Sequence, residues 1–191
     1  MNKNNYRRIA VLLAVIGWVH TGYAQEELVP FNPLDAIQGQ AVFVGMEEIG
    51  KTDGRYNYIQ VSVRAYTVLE SGATDYYVLL LTSSGVRGNI PDIIQKILTL
   101  DDARKCRDAI LDLSSVDADA GVLPGSWVWY GVTDDLSVGK WFKVKTMGRK
   151  AEDRGRFTVG SVSAPLNMKD FLLAADLLGQ AIQLIEERQA D

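Results

Sequence analysis

The chain is nearly without the residues that most often carry chemistry. Among its 191 residues there is one cysteine, Cys106, and one histidine, His20. A single cysteine cannot close an internal disulfide, so the fold stands on packing alone. Zinc sites draw on Cys and His, and this chain cannot supply such a set. A serine hydrolase of the usual triad type needs an imidazole base. No P-loop, dinucleotide glycine fingerprint or G-x-S-x-G elbow occurs, so no cofactor is implied. The apolar run Ile9–Val19 is 11 residues, too short to span ~30 Å of hydrocarbon as a stable helix.

What is present begins with an address. Lys3, Arg7 and Arg8 precede the apolar run, and "HTGYAQEE" follows it, with Gly22 and Ala24 as small residues at a cleavage site. Basic, apolar, small is the order of a secretory signal peptide. The reading is a signal peptide at 1–24, a lead-in segment at 25–40 and one domain at 41–191. The product is then periplasmic or extracellular and does not span the membrane after cleavage. Losing three basic residues leaves 17 basic against 24 acidic, net −7, and removes the only histidine. A chain of that sign repels polyanions as a whole, so no nucleic-acid partner is expected; the expected partner is a protein or a glycan.

Along the domain the hydrophobic period changes in order. "AVFVGMEE" reads as a strand. "YNYIQVSVRAYTVLE" alternates, with Ile59, Val61, Val63, Ala65 and Leu69 on one side and Gln60, Ser62, Arg64 and Tyr66 on the other. "DYYVLLLTSS" is a third strand. "IPDIIQKIL" reads as a short helix, with Pro91 in its first turn. Thr99 then caps an amphipathic helix whose stripe is Ala103, Cys106, Ile110 and Leu113. After the polar loop "SSVDADAGVLPG", the strands "SWVWYGVT" and "GKWFKVKTM" form a hairpin around "DDLSV". "RFTVGSVSA" is one more strand, and the chain ends in a long helix with the stripe Phe171, Ala174, Leu178, Ala181 and Ile185.

The two helix starts match at a constant offset of 68, Leu98 with Leu166, Thr99 with Asn167, Asp102 with Asp170. Each pairs a capping residue with an acid three residues on, and each has an apolar residue placed to staple the first turn. The chain therefore reads as two β-β-β-α units, about 41–114 and 126–188, in an α+β fold of antiparallel sheet covered by two amphipathic helices. The same offset places Cys106 opposite Ala174, on a buried stripe. A small apolar slot suits an unreactive thiol, and no base stands near to activate it.

Carboxylate pairs (Glu47–Glu48, Asp101–Asp102, Asp134–Asp135) are sequence neighbours. Neighbours on a strand point to opposite faces, so they do not make the ~5–10 Å pair that glycoside hydrolysis needs. The turn pair Asp134–Asp135 has a local backbone role. "DADAG" lacks the third acid and closing glutamate of a calcium loop, so no metal ligand is assigned. No catalytic residue is assigned either.

The most distinctive stretch is the hairpin 127–156. Trp127, Trp129, Tyr130, Trp141 and Phe142 fall within 16 residues, and 140–156 holds seven basic residues and two acids. Its candidate ligand-binding residues are Trp141, Lys143, Lys145, Arg149, Lys150, Arg154 and Arg156. One reading is an aromatic and cationic sheet face gripping an anionic ligand or glycan. The other puts the tryptophans under the helices, since strand aromatics normally fill cores, with the lysines on a solvated strand face.

The rhythm of strands, an "L-x-x-x-D" helix start, an aromatic hairpin and a C-terminal helix over 41–188 resembles a group of small secreted bacterial proteins of unknown function. In layout it is similar, more distantly, to the Whirly and PC4-like folds, whose sheets bind single-stranded nucleic acid. The acidic balance argues against carrying that ligand over, and the resemblance transfers no functional residue. Two function classes follow. The first is a non-catalytic exported binding or interaction module. The alternatives are a carboxylate-based hydrolase, or a binder of anionic ligands or glycans through 127–156.

Overall fold

The alternation of the strand segments and the two capped helices both appear in the computed structural model, which describes residues 40–85, 90–116, 124–143 and 152–190. All of these belong to one compact unit, Asn32–Asp191. The expected signal peptide at 1–24, most of the expected lead-in segment and the loop holding "DADAG" lie outside the described residues. The elements are β1 (Val42–Lys51), β2 (Tyr58–Val68), β3 (Thr74–Ser84), β4 (Asp92–Leu98), α1 (Leu100–Ser115), β5 (Trp127–Thr133), β6 (Leu136–Trp141), β7 (Arg154–Val159), β8 (Val162–Asn167) and α2 (Met168–Ala190). They form two four-stranded antiparallel sheets, ordered β1-β2-β3-β4 and β5-β6-β7-β8, each followed by a helix. The class is α+β. No helix among the described residues is long and apolar enough to cross a membrane.

Each unit has four strands rather than three. The expected short helix at "IPDIIQKIL" is strand β4, paired with β3 from Val78↔Leu98 to Ser84↔Asp92. Its apolar residues satisfy a helical spacing as well as a strand, and the free edge of β3 decides between them. Ile94 and Leu98 turn toward the core, and Lys96 between them is neutralised by Asp135 at 2.7 Å. The expected single strand "RFTVGSVSA" is a hairpin, turning at Gly160, whose φ of 52° is in the region glycine tolerates best. With these changes the offset of 68 extends to the last strand of each unit: Ile94, Lys96 and Leu98 correspond to Val162, Ala164 and Leu166.

The helices make the same match. Ala103, Cys106, Ala109, Ile110 and Leu113 are buried on α1, and the residues 68 further on, Phe171, Ala174, Leu177, Leu178 and Ala181, are buried on α2. Thr99 Oγ1 accepts from Asp102 N at 3.2 Å, and Asn167 Oδ1 from Asp170 N at 2.8 Å. Asp170 is itself buried; its Oδ2 accepts from Asn167 Nδ2 and its Oδ1 from Asp53 N. Such caps stabilise a helix end by ~1 kcal/mol each.

The two helices pack against each other and also exchange sheets. α1 follows the first sheet but rests chiefly on β5 and β6, while α2 follows the second and rests chiefly on β1 and β2. Two glycines allow close approach. A Cβ on Gly50 would meet Leu177 at 2.7 Å, and one on Gly155 would meet the Phe171 ring at 2.2 Å. The core that results is continuous, running from Val61, Val63 and Leu80 through both helices to Val138 and Phe157. Each such side chain contributes ~1.5–3 kcal/mol on burial.

Candidate functional site

Strand alternation divides the second sheet into two faces. Val132, Leu136, Val138, Phe157, Val159, Ala164 and Leu166 point into the core. The residues between them point away from the helices. Antiparallel partners share a face, and the register sets two rows across the outer one: Trp127↔Trp141↔Arg154↔Asn167 and Trp129↔Gly139↔Arg156↔Pro165. All three tryptophans beyond residue 24 therefore stand on one outer face, and none belongs to the core. The expectation that they pack under the helices is corrected: the smaller β-branched and aliphatic residues of the same strands took the inner face.

The face is ordered by its own contacts. The Trp127 and Trp129 rings stack at 5.2 Å with 21° between their planes. The Arg156 guanidinium lies over Trp127, its Cζ 4.4 Å from the ring centroid. The Trp129 ring lies across Gly139, where an added Cβ would fall 2.6 Å from it, so glycine is what lets the indole settle on the sheet. Trp129 is nevertheless 45 % exposed. Arg156 Nε is buried without a hydrogen-bond partner. Among the described residues neither Arg154 nor Arg156 has a carboxylate partner, and neither does Arg64 of the first sheet, whose Nε is likewise buried without one; Arg104, Arg107, Arg188, Lys96, Lys140 and Lys169 are all paired. Next to Arg154 a recess of about 390 Å³ is lined by Asn57, Glu152, Asp153, Pro165 and Asn167.

The architecture does not require these residue types. Counting outward from β4 and β8, the first sheet offers the same outer positions and fills them with Met46, Glu48, Arg64, Tyr77 and Leu79. These stand where the second sheet has Trp127, Trp129, Trp141, Arg154 and Arg156.

Of the candidate residues read from the sequence, Trp141, Arg154 and Arg156 come together here. β6 ends at Trp141, so Lys143 lies just past the strand, exposed, with its backbone N donating to Asp153 Oδ1 at 3.1 Å. Lys145, Arg149 and Lys150 lie outside the described residues. Lys140, part of the same basic stretch, is not on a solvated face. It is buried, its ammonium donating to the carbonyls of Ser114 at 3.1 Å and Val116 at 2.8 Å. It serves the C-terminus of α1, which has no basic residue in its own last turn. Phe142 is core. Sequence reasoning missed Gly139 as the seat of Trp129. The small residue two positions before Trp141 was the available signal.

The carboxylates are drawn into structural contacts. Asp135 pairs with Lys96 as well as its own turn; burial alone would raise its carboxyl, but the Lys96 ammonium and the Thr133 hydroxyl outweigh that and hold it below the ordinary range. Among the described residues no three His, Cys, Asp or Glu side chains are placed to hold a metal ion. Cys106 is fully buried, and burial pushes its thiol up to about 12. The sequence matches no protein-family model and no curated protein.

Proposed function

We propose that this protein is an exported, non-catalytic binding module that holds an anionic ligand on the outer face of β5–β8. One observation carries the reading. An arginine is stacked on a tryptophan and, among the described residues, its buried Nε has no acceptor and its guanidinium no carboxylate partner, in a chain with more acids than bases. An unsatisfied buried donor costs ~1–3 kcal/mol, which an anion's oxygen would recover. The flat indoles beside it supply apolar contact at low entropy cost. The basic, apolar, small order of residues 1–24 supports export, and mass spectrometry of the secreted product, expected to begin near Gln25, tests that part.

Binding is tested by titrating the purified protein with polygalacturonate, dextran sulfate, inositol hexaphosphate and a single-stranded oligonucleotide while following tryptophan emission. The expected result is a response to at least one of these that weakens as salt rises and is lost in Arg156→Gln. Silence toward all four, or a response untouched by Arg154→Gln and Arg156→Gln, removes the proposal.

A further inference from the structure

We infer that the ligand is a carboxylated oligosaccharide laid across the strands, its neutral sugar faces on the tryptophans of β5 and β6 and its carboxylate at the arginines of β7. The inference rests on the binding face proposed above and adds the ligand's class and direction. Trp127, Trp141, Arg154 and Asn167 are successive partners across all four strands. With neighbouring strands ~4.8 Å apart, that row is ~14 Å long, the reach of a short oligosaccharide. The parallel row carries Trp129, then Gly139 with no side chain, then Arg156. The aromatic positions lie on β5 and β6 and the cationic ones on β7, but the Arg156 guanidinium reaches over Trp127, so charge and stacking surface meet at that ring. Beyond the arginines, both rows end at the sheet's edge in the recess at Asn167 and Pro165, which Glu152 and Asp153 also line.

Charge decides the class of polymer. Three tryptophans stand beside two arginines, and the whole chain is acidic. A polymer with a charge on every unit, such as a nucleic acid, would find few cations here and a repelling field around them. A sugar chain with occasional carboxylates needs only what the face holds. The planar guanidinium fork matches a planar carboxylate with two parallel hydrogen bonds, and Arg156 is already held against Trp127, so little freedom is lost on binding.

The test compares oligogalacturonides that keep one free carboxylate among methyl-esterified units (the free acid) with the fully esterified chains (the ester), which keep the sugar and remove the charge, alongside dextran sulfate and a single-stranded oligonucleotide. The free acid is expected to bind at least tenfold more tightly than the ester. Trp129→Ala should weaken both forms by a similar factor. Arg156→Gln should weaken the free acid at least tenfold and leave the ester unchanged; Arg154→Gln, at an exposed position, gives the same readout if Arg156→Gln fails to fold. If dextran sulfate or the oligonucleotide binds more tightly than the oligogalacturonide, still through Arg156, the oligosaccharide assignment falls and the anion-binding face stands. If nothing binds through either arginine, both fall. Equal binding of acid and ester overturns the assignment of the arginines to a carboxylate.

Discussion

The Lys140 ammonium lies 2.8 Å from the carbonyl oxygen of Val116, so a strand of the second sheet supplies the C-terminal cation for the helix that follows the first. Lys140 is 4 % exposed, and it also donates to Ser114 O. Lys140→Met keeps most of the volume and removes the donor. We expect a loss of ~1–3 kcal/mol, read as a lower urea midpoint with unchanged slope. An unchanged midpoint would show that water replaces the ammonium at no cost.

Cys106 gives a pH dependence with a definite sign. Its thiol has an ordinary value of 9.0 and is raised to about 12 in the fold. Below pH 9 both folded and unfolded states hold the proton and nothing changes. Above it the unfolded state releases the proton first, so stability falls as pH rises between 9 and 12, by ~1.4 kcal/mol per unit at most. Cys106→Ala, matching Ala174 on α2, should flatten that part of the pH profile. In the native state at pH 8 a thiol reagent should react only as fast as the protein opens; immediate labelling would contradict the burial of this side chain.

At the acid end the pair Lys96–Asp135 sets the trend. The Asp135 carboxyl is held below its ordinary 3.8. Its contribution is therefore present above that value and lost as pH falls through the lowered one. Asp135→Asn should make the acid limb of the stability curve shallower. Because Asp135 is partly exposed, the effect should also shrink in high salt.

Gly155→Ala places a methyl group 2.2 Å from the Phe171 ring, and that ring is fully buried between β7 and α2. With no free space to move into, we expect ~1–3 kcal/mol of destabilisation in thermal or urea melts. Gly139→Ala makes the contrasting case. It also collides with a ring, that of Trp129, but this ring is half in solvent and can swing outward. That variant should keep its melting temperature within a few degrees while losing ligand-induced quenching of tryptophan emission.

Much of this architecture can be read from the residues. The alternation from Ile59 to Ala65 sets a strand with one inward face, and the caps at Thr99 and Asn167 set both helix starts. The match of Cys106 with Ala174 identifies its burial. Strand β4 was not legible, because Ile93, Ile94 and Ile97 fit either period and the partner of Lys96 sits 39 residues away. The aromatic face was half legible. Alternation separates Trp127 and Trp129 from Val128, yet which of the two sets turns inward depends on a helix from the other half of the chain. The place of Lys140 was hidden for the same reason.

That crossing of helices makes each half incomplete without the other. A fragment ending at Val116 would carry α1 with much of its buried stripe uncovered, since β5, β6 and α2, on which it chiefly rests, lie downstream. Two separately expressed fragments should therefore stay unfolded alone and recover native circular dichroism when mixed. For the same reason, deleting residues between Val116 and Pro124 until α1 no longer reaches its own β5 should drive the exchange between two molecules, yielding an interlocked dimer.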